Sequence, residues 1–332
     1  MKNFKPFIVL IVFAFLFYFY FTLSFKPASQ NISSVPLPPL KFACSAWPGF
    51  LPVVLASKKG YFKEAGVDVE YFYSENIRQQ LIDFGNGAYD GGGFALGTVI
   101  SLYSKHPEVS VIAASDYSMG ADALVANPPI GSVYDLKGKT ILLNLGSYAE
   151  IFFDLTLQKH SMTRNDVNIR TWNDENTAVK ELINKKADAA FIWEPYVTLA
   201  LNKGAKTIYS SRDIPGIVTD VVVFQNKTLK RRPVDVKKFM DCWFKAVDYW
   251  TANTLEASLI ISTAISADTE RTSLKGIELC SKTANEKAFK ENFTDLTSLY
   301  GSGKLYIDHY IKLGICRDEI SISDLLNPAF IK

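Results

Sequence analysis

The chain predicts an α/β protein of two lobes, with mostly parallel sheets, helices on both faces and a helical C-terminal part. Three observations predict it. Short apolar segments alternate with helical periodicities from residue 40 to about residue 224, the pattern of parallel strands covered on both faces. Two breakers, Asn127-Pro128-Pro129 and Ile214-Pro215-Gly216, divide that stretch into two blocks. After Arg232-Pro233 the periodicity is helical nearly to the end. At 332 residues the chain is long enough for two domains of ordinary size.

Each element has a local reason. Residues 40–46 read as a strand. The loop Trp47-Pro48-Gly49-Phe50 follows, and Pro52 suits the first helical position, where its missing N–H is no loss. Gly60 and Gly66 stop helical stretches in the left-handed conformation. Val67, Val69 and Tyr71 alternate as a second strand does. Asn76 caps a helix to about residue 84, with Ile77 and Leu81 on one face. A glycine-rich run, 85–93, leads to a helix over 96–105. Residues 109–114 are a buried strand, 116–122 a polar loop and 123–126 a resumed strand.

In the second block, 140–144 is a strand and 148–159 a helix with Ile151, Phe152 and Leu155 inward. Strand 167–171, helix 175–185, buried strand 189–192, a helix opened by Glu194-Pro195 and strand 206–209 complete it. Strand 218–224 crosses back. Helices are expected over 234–251, 254–264, 269–277, 286–293 and 299–313. The first lobe is therefore discontinuous, 41–126 and 218–332, and the second spans 127–217.

Composition narrows the function. Apolar residues make up 48% and charged residues 21%, ordinary for a folded core. The net charge of +2 comes from Lys2, Lys5 and Lys26, since residues 1–26 hold no acid and the rest carries one net negative charge. Such a body offers no basic stripe for nucleic acid. Lys2 and Lys5 precede an uncharged run over 7–25, enough for about 28 Å of helix. Residues 1–26 read as a signal peptide or an uncleaved signal anchor with the lysines cytoplasmic. The body would then be periplasmic or extracytoplasmic, with residues 7–25 as a possible inner-membrane tether and 27–40 as a stiff Pro-rich linker. An exported context permits disulfides, and Cys280 with Cys316 is a candidate pair. No cysteine spacing fits a metal.

Several runs together carry a resemblance. They are residues 47–69, the segment Asp116-Tyr117-Ser118-Met119-Gly120-Ala121-Asp122, the entry Asp135-Leu136-Lys137-Gly138-Lys139-Thr140, the turn Ala187-Asp188-Ala189-Ala190-Phe191-Ile192-Trp193-Glu194-Pro195, and Pro215-Gly216-Ile217-Val218-Thr219-Asp220. In this order they resemble substrate-binding proteins of the nitrate/sulfonate/taurine class of ABC importers, relatives of which bind thiamine-precursor pyrimidines. The resemblance covers most of the chain after the N-terminal run. It implies the type II periplasmic-binding-protein fold, a small-molecule ligand, an ABC permease in the inner membrane as partner, and a monomer. Asp116–Asp122 looks like that family's crossover and the 215–220 run like its return.

The residues supply candidate ligand contacts. Trp47 and Phe50 follow the first strand, outside whose carboxyl end open α/β sheets bind ligands; Trp47 could stack on a ligand. Asn76 follows the second strand. Gly93 and Phe94 lie where backbone could approach a ligand. Ser147 and Tyr148 open a helix whose free N–H groups suit a carboxylate, sulfonate or phosphate. Asp116, Ser118, Asp122 and Asp220 belong to the crossovers, and Trp193 and Glu194 stand at the mouth of a buried strand. Acids and aromatics around one cleft suit an amine or another cation, and no Lys or Arg falls within these motifs. Each also has a plain structural role to fill, as a cap, an Asx turn or core.

The expectation is a binding protein for an amine-bearing, sulfonate or pyrimidine-like molecule, with no catalytic residue, metal or cofactor. A nucleophile elbow, a P-loop and a His-Glu-x-x-His motif are all absent. The alternatives are a membrane-tethered ligand sensor or accessory binder, and an enzyme on the same fold. Pyrimidine synthases resembling this family use a cysteine-rich motif and a reactive histidine, and this chain has no clustered cysteines.

Overall fold

Strand alternation and one long amphipathic helix organise the first sheet. The computed structural model describes residues 37–172, 174–316 and 320–331. The expected signal or anchor, 1–26, and residues 27–36 of the linker lie outside these residues. Among the described residues no helix is long and apolar enough to cross a membrane.

The chain begins with β1 (Leu40–Ser45), α1 (Pro52–Lys58), α2 (Tyr61–Ala65), β2 (Val69–Ser74), α3 (Ile77–Gly85), β3 (Gly91–Ala95), α4 (Leu96–Tyr103) and β4 (Val109–Ser118). It continues through β5 (Asp122–Ala126), β6 (Thr140–Leu142), α5 (Tyr148–Lys159), β7 (Asn168–Arg170), α6 (Glu175–Ile183), β8 (Ala189–Trp193), α7 (Tyr196–Leu201) and β9 (Lys206–Ser210). The last part is β10 (Thr219–Gln225), α8 (Asn226–Arg231), α9 (Pro233–Ala252), α10 (Thr254–Ile265), β11 (Ile277–Leu279), α11 (Lys282–Ala288), α12 (Leu299–Lys312) and α13 (Ile322–Leu325). One sheet has the order β11-β4-β10-β3-β1-β2 and the other β7-β6-β8-β5-β9.

In β1, Phe42 and Cys44 face one side and Ala43 the other; in β10, Val222 and Phe224 share the Phe42 side. Phe239 and Trp243 of α9 close that side, with ring centroids 5.0 and 5.7 Å from Phe42. On the opposite face Val99 and Ile100 of α4 meet Tyr306 and Tyr310 of α12. That apolar cluster continues into the second sheet through Phe152 of α5, 4.8 Å from Phe191 of β8. Helices on both faces explain why these strands read as continuous apolar runs.

The sheets are mixed, not mostly parallel as the strand–helix alternation predicts, because the strands that follow a crossing enter each sheet against the direction of their neighbours. Parallel pairing joins β1 to β2 and β3, and β6 to β7 and β8. The strands next to the crossings, β10 and β5, pair antiparallel with their neighbours. The first crossing corrects the expectation at residue 127. Asp122–Ala126, expected in the first lobe, pairs with β8 and β9 in the second sheet, so the chain crosses at Met119–Ala121. Asn127 belongs there too, its amide donating to Leu182 O and Ala187 O at 2.6 and 3.2 Å. Pro128-Pro129 was the louder local signal, but the break it marks lies within the second sheet's territory.

The crossings are tied to each other. Gly276 O accepts from Met119 N and Ala121 N. Ser118 Oγ lies 2.8 Å from Ser211 Oγ, which also accepts from Gly120 N at 2.7 Å. In the return crossing Gly216 has φ +84°, and a Cβ there would lie 2.3 Å from the Leu296 carbonyl, so only glycine fits. Two further readings change. Residues 116–118 are not loop but the buried end of β4, and the helix expected at 269–277 is a 3₁₀ turn followed by β11. Pairing of Ile277 with Ser118 at the sheet edge outweighs local helical preference. All four thiols are buried and free, so Cys280 and Cys316 are not bridged.

Phe42→Ala removes the ring that α9 packs against. It should cost about 3–5 kcal/mol, read as a fall in midpoint on chemical denaturation; a loss under ~1 kcal/mol would contradict this account of the core.

Candidate ligand-binding cleft

Three of the strands that border the crossings carry a buried acid at or near the crossing end. Asp116 near the end of β4, Asp122 opening β5 and Asp220 in β10 are exposed by 0, 1 and 4%. Asp220 stands directly opposite Asp116 in the antiparallel ladder, and Asp122 stands opposite Trp193. Like charges directly opposite one another destabilise a sheet, so this arrangement is costly unless something compensates it.

The loop after β1 is built around Asp116. Trp47 Nε1 donates to Asp116 Oδ1 at 3.1 Å, and Ser115 Oγ donates to Gly49 O at 2.5 Å. A Cβ on Gly49 would lie 1.6 Å from Asp116 Oδ2, so the Trp-Pro-Gly run needs its glycine for the carboxyl beneath it. Asp122 is held from the other side: Tyr148 Oη donates to its Oδ1 at 2.7 Å, and its own N–H donates to Ser118 Oγ at 3.1 Å. Asp122 Oδ2 has no hydrogen-bond partner.

A cavity of about 620 Å³ opens beside these groups. Trp47, Phe50, Asn76, Phe94 and Asp220 line it from the first sheet's elements; Asp122, Ser147, Tyr148 and Trp193 line it from the second's. The other expected contacts lie elsewhere. Asp116 sits behind Trp47, and Ser118 is bound within the crossings. Gly93 makes room for Phe50, whose Cδ1 would lie 2.4 Å from an added Cβ. Glu194 caps α7 by accepting from Thr198 N at 3.0 Å and pairs with Lys275 at 3.2 Å.

Other lining residues went unnoticed in the sequence, among them Arg78, Thr98, Asn144, Trp172 and Asp174. Trp172 was findable, because it follows β7 much as Trp193 closes β8. The two rings lie 5.8 Å apart, and Trp172 Nε1 is buried without a partner. Arg78, in the first turn of α3, corrects the impression of a site without cations. The helix opening at Ser147 differs from an oxyanion cradle. Ser147 Oγ accepts from Ala149 N at 3.2 Å, and Glu150 Oε2 already takes Gly146 N at 2.7 Å. The helix thus supplies its own carboxylate at the favourable end of its dipole.

Burial dominates the electrostatics. It pushes Asp122 up to about 6, against the lowering effect of its bonds with Ser118 and Tyr148. Burial likewise raises Asp116, opposed first by the hydrogen bond from Trp47. Asp220 is held well above the usual carboxyl range by burial, then by the charges of Asp116 and Asp122. Burial and the neighbouring Asp122 raise Tyr148, so it remains a donor. Among the described residues no group of three or more metal-ligating side chains is present.

A raised carboxyl stabilises the fold fully below its unfolded value and loses that contribution as pH rises through the folded one. Asp122 moves from 3.8 to about 6, which corresponds to at most ~3 kcal/mol lost over that interval. Asp122→Asn, which keeps the acceptor for Tyr148, should raise the melting temperature near pH 8 and flatten its fall between about pH 4 and 6. An asparagine variant less stable than the parent near pH 8 would contradict the electrostatic account.

Comparison with known proteins agrees with this architecture. The chain is 26% identical over 242 residues to a Brucella abortus (strain 2308) protein named "Putative binding protein", covering 70% of this chain and 72% of that one. It is 25% identical over 295 residues to the "Putative aliphatic sulfonates-binding protein" of Bacillus subtilis (strain 168), covering 85% and 84%. The crystal structure of the periplasmic aliphatic sulphonate binding protein SsuA from Escherichia coli superposes with a TM-score of 0.72 at 13% identity, over 87% of this chain and 92% of that one. That likeness identifies the two-lobed periplasmic-binding-protein fold. The family model described as NMT1/THI5 like matches residues 47–257, well over half of the sequence. The chain belongs to the NMT1/THI5-like family.

Proposed function

We propose that this protein is an extracytoplasmic solute-binding protein that captures a small amine-bearing organic molecule and delivers it to an ABC-type permease. Asp122 carries the ligand chemistry: it lines the cavity, is 1% exposed, and its Oδ2 has no hydrogen-bond partner. A buried carboxyl oxygen without a donor costs free energy, and an ammonium or amino N–H would relieve it. Trp47, Tyr148 and Trp193 offer π faces to the same cation. The family and the names of its binding-protein relatives support the carrier role. A described lining without histidine or cysteine supports holding a molecule over transforming it.

In this reading the lobes lie on either side of the crossings at 119–121 and 211–218, and the N-terminal run over 7–25 directs or tethers the protein outside the cytoplasm. A ligand that touches both lobes only when they are closed shifts the population toward closure. The name of the Bacillus subtilis relative suggests a sulfonate, and Arg78 favours an acidic group on the ligand. It borders the cavity and has no ion-pair partner among the described residues. An amino-sulfonate would use both features.

Thermal-shift screening of amines, amino-sulfonates and pyrimidines tests the proposal. Amine-bearing compounds should raise the melting temperature, and Asp122→Asn or Trp193→Ala should weaken each hit about tenfold or more, ~1.4 kcal/mol. Stabilisation by inorganic oxyanions alone would overturn it.

A further inference from the structure

Too few hydrogen-bond donors reach the three acids for all of them to be charged. Asp116 receives one from Trp47 and Asp122 one from Tyr148. Ser115 Oγ also lies 3.1 Å from Asp116 Oδ2, but its single proton is directed to Gly49 O at 2.5 Å. The Ser115 lone pairs are then left facing Asp116 Oδ2, which suits a proton on that oxygen. Asp220 stands directly across the ladder from Asp116, on the same face of the sheet, and two buried carboxyls held that close avoid repulsion when one of them keeps a proton.

The groups that act on these acids come from every packed element: one another on β4, β5 and β10, Tyr148 from α5, Tyr306 from α12 and Cys280 just after β11. None of them is a cation. Two adjacent buried carboxyls with no cation bonded to either cannot both ionise cheaply.

We infer that Asp116 and Asp220 share a proton in the unliganded protein and release it when a cationic ligand enters, so that capture exchanges one positive charge for another. The inference rests on the cationic-ligand reading above and deepens it. The proton leaves the carboxyl pair for solvent, the ligand cation takes its place, and the cleft keeps the same net charge. A neutral or anionic molecule brings no charge to replace the proton, so the pair selects for cations. Because the exchange releases a proton, affinity rises with pH until the pair is already ionised without ligand.

Isothermal titration with benzamidine, an aromatic amidinium that stays charged across the range, tests this in two buffers of different ionisation enthalpy from about pH 5 to 8.5. The expected result is about one proton released per ligand at the acid end, and affinity rising up to about tenfold per pH unit before levelling. Asp220→Asn should bind with a flatter pH profile and release less than half a proton; Asp116→Asn serves the same purpose if that variant does not fold. Binding independent of pH with no proton released overturns the exchange and leaves the cation reading standing. Failure of benzamidine and of every amine in the screen at all pH values overturns both. Undiminished proton release by the folded asparagine variant overturns the assignment to this pair.

Discussion

Burying three carboxyls where the chain passes between its two sheets is the constraint around which the rest of the site is arranged. Placing Asp116, Asp122 and Asp220 away from water is costly, and among the described residues no cation forms an ion pair with any of them. Their surroundings are organised to lessen that cost. The Trp47 indole caps one acid, the Tyr148 hydroxyl another, and Gly49 gives up its side chain so that the Asp116 carboxyl fits beneath the loop. The crossings beside these acids are also bound to each other through Ser118, Gly120 and Ser211. The groups that set the charge of the cleft are therefore fixed to the segments that any closure of the lobes would bend.

The aromatic lining follows from the same arrangement. Trp193 lies beside Asp122 because the two are cross-strand partners, and Trp172 lies beside Trp193. Flat, polarisable rings next to uncompensated acids form an environment that favours a delocalised or alkylated cation over a strongly hydrated one. Trp47 has two roles. It lines the cavity and donates to a carboxyl behind it, so its orientation depends on the state of that acid.

Much of this was legible in the sequence, for identifiable reasons. The strands of the first sheet carried apolar patterns bounded by glycine and proline, and Pro52, Asn76 and Ser147 marked helix starts that the structure has. Crossing acids were recognisable as polar residues adjoining strand signals. The first crossing was misplaced because Pro128-Pro129 is a strong local break, while Met119–Ala121 is defined by long-range bonds to Gly276. Gly93 read as a place for ligand because a missing side chain looks alike whether a ligand or Phe50 fills the gap. Trp172 and Arg78 were overlooked because neither adjoins a glycine or proline motif; their place in the cleft depends on how β7 and α3 are set. That Glu150 occupies the N-terminal end of α5 depends on a side-chain rotamer that no sequence pattern specifies.

Carbon-13 NMR of the aspartate side-chain carboxyls, with Asp116, Asp122 and Asp220 assigned through their asparagine variants, tests the central claim most directly. In the unliganded protein at about pH 7, the account predicts that at least the Asp116–Asp220 pair still holds a proton, and that Asp122 titrates well above the ordinary aspartate range near 4. Three carboxyls that are all fully ionised by about pH 5 would contradict it.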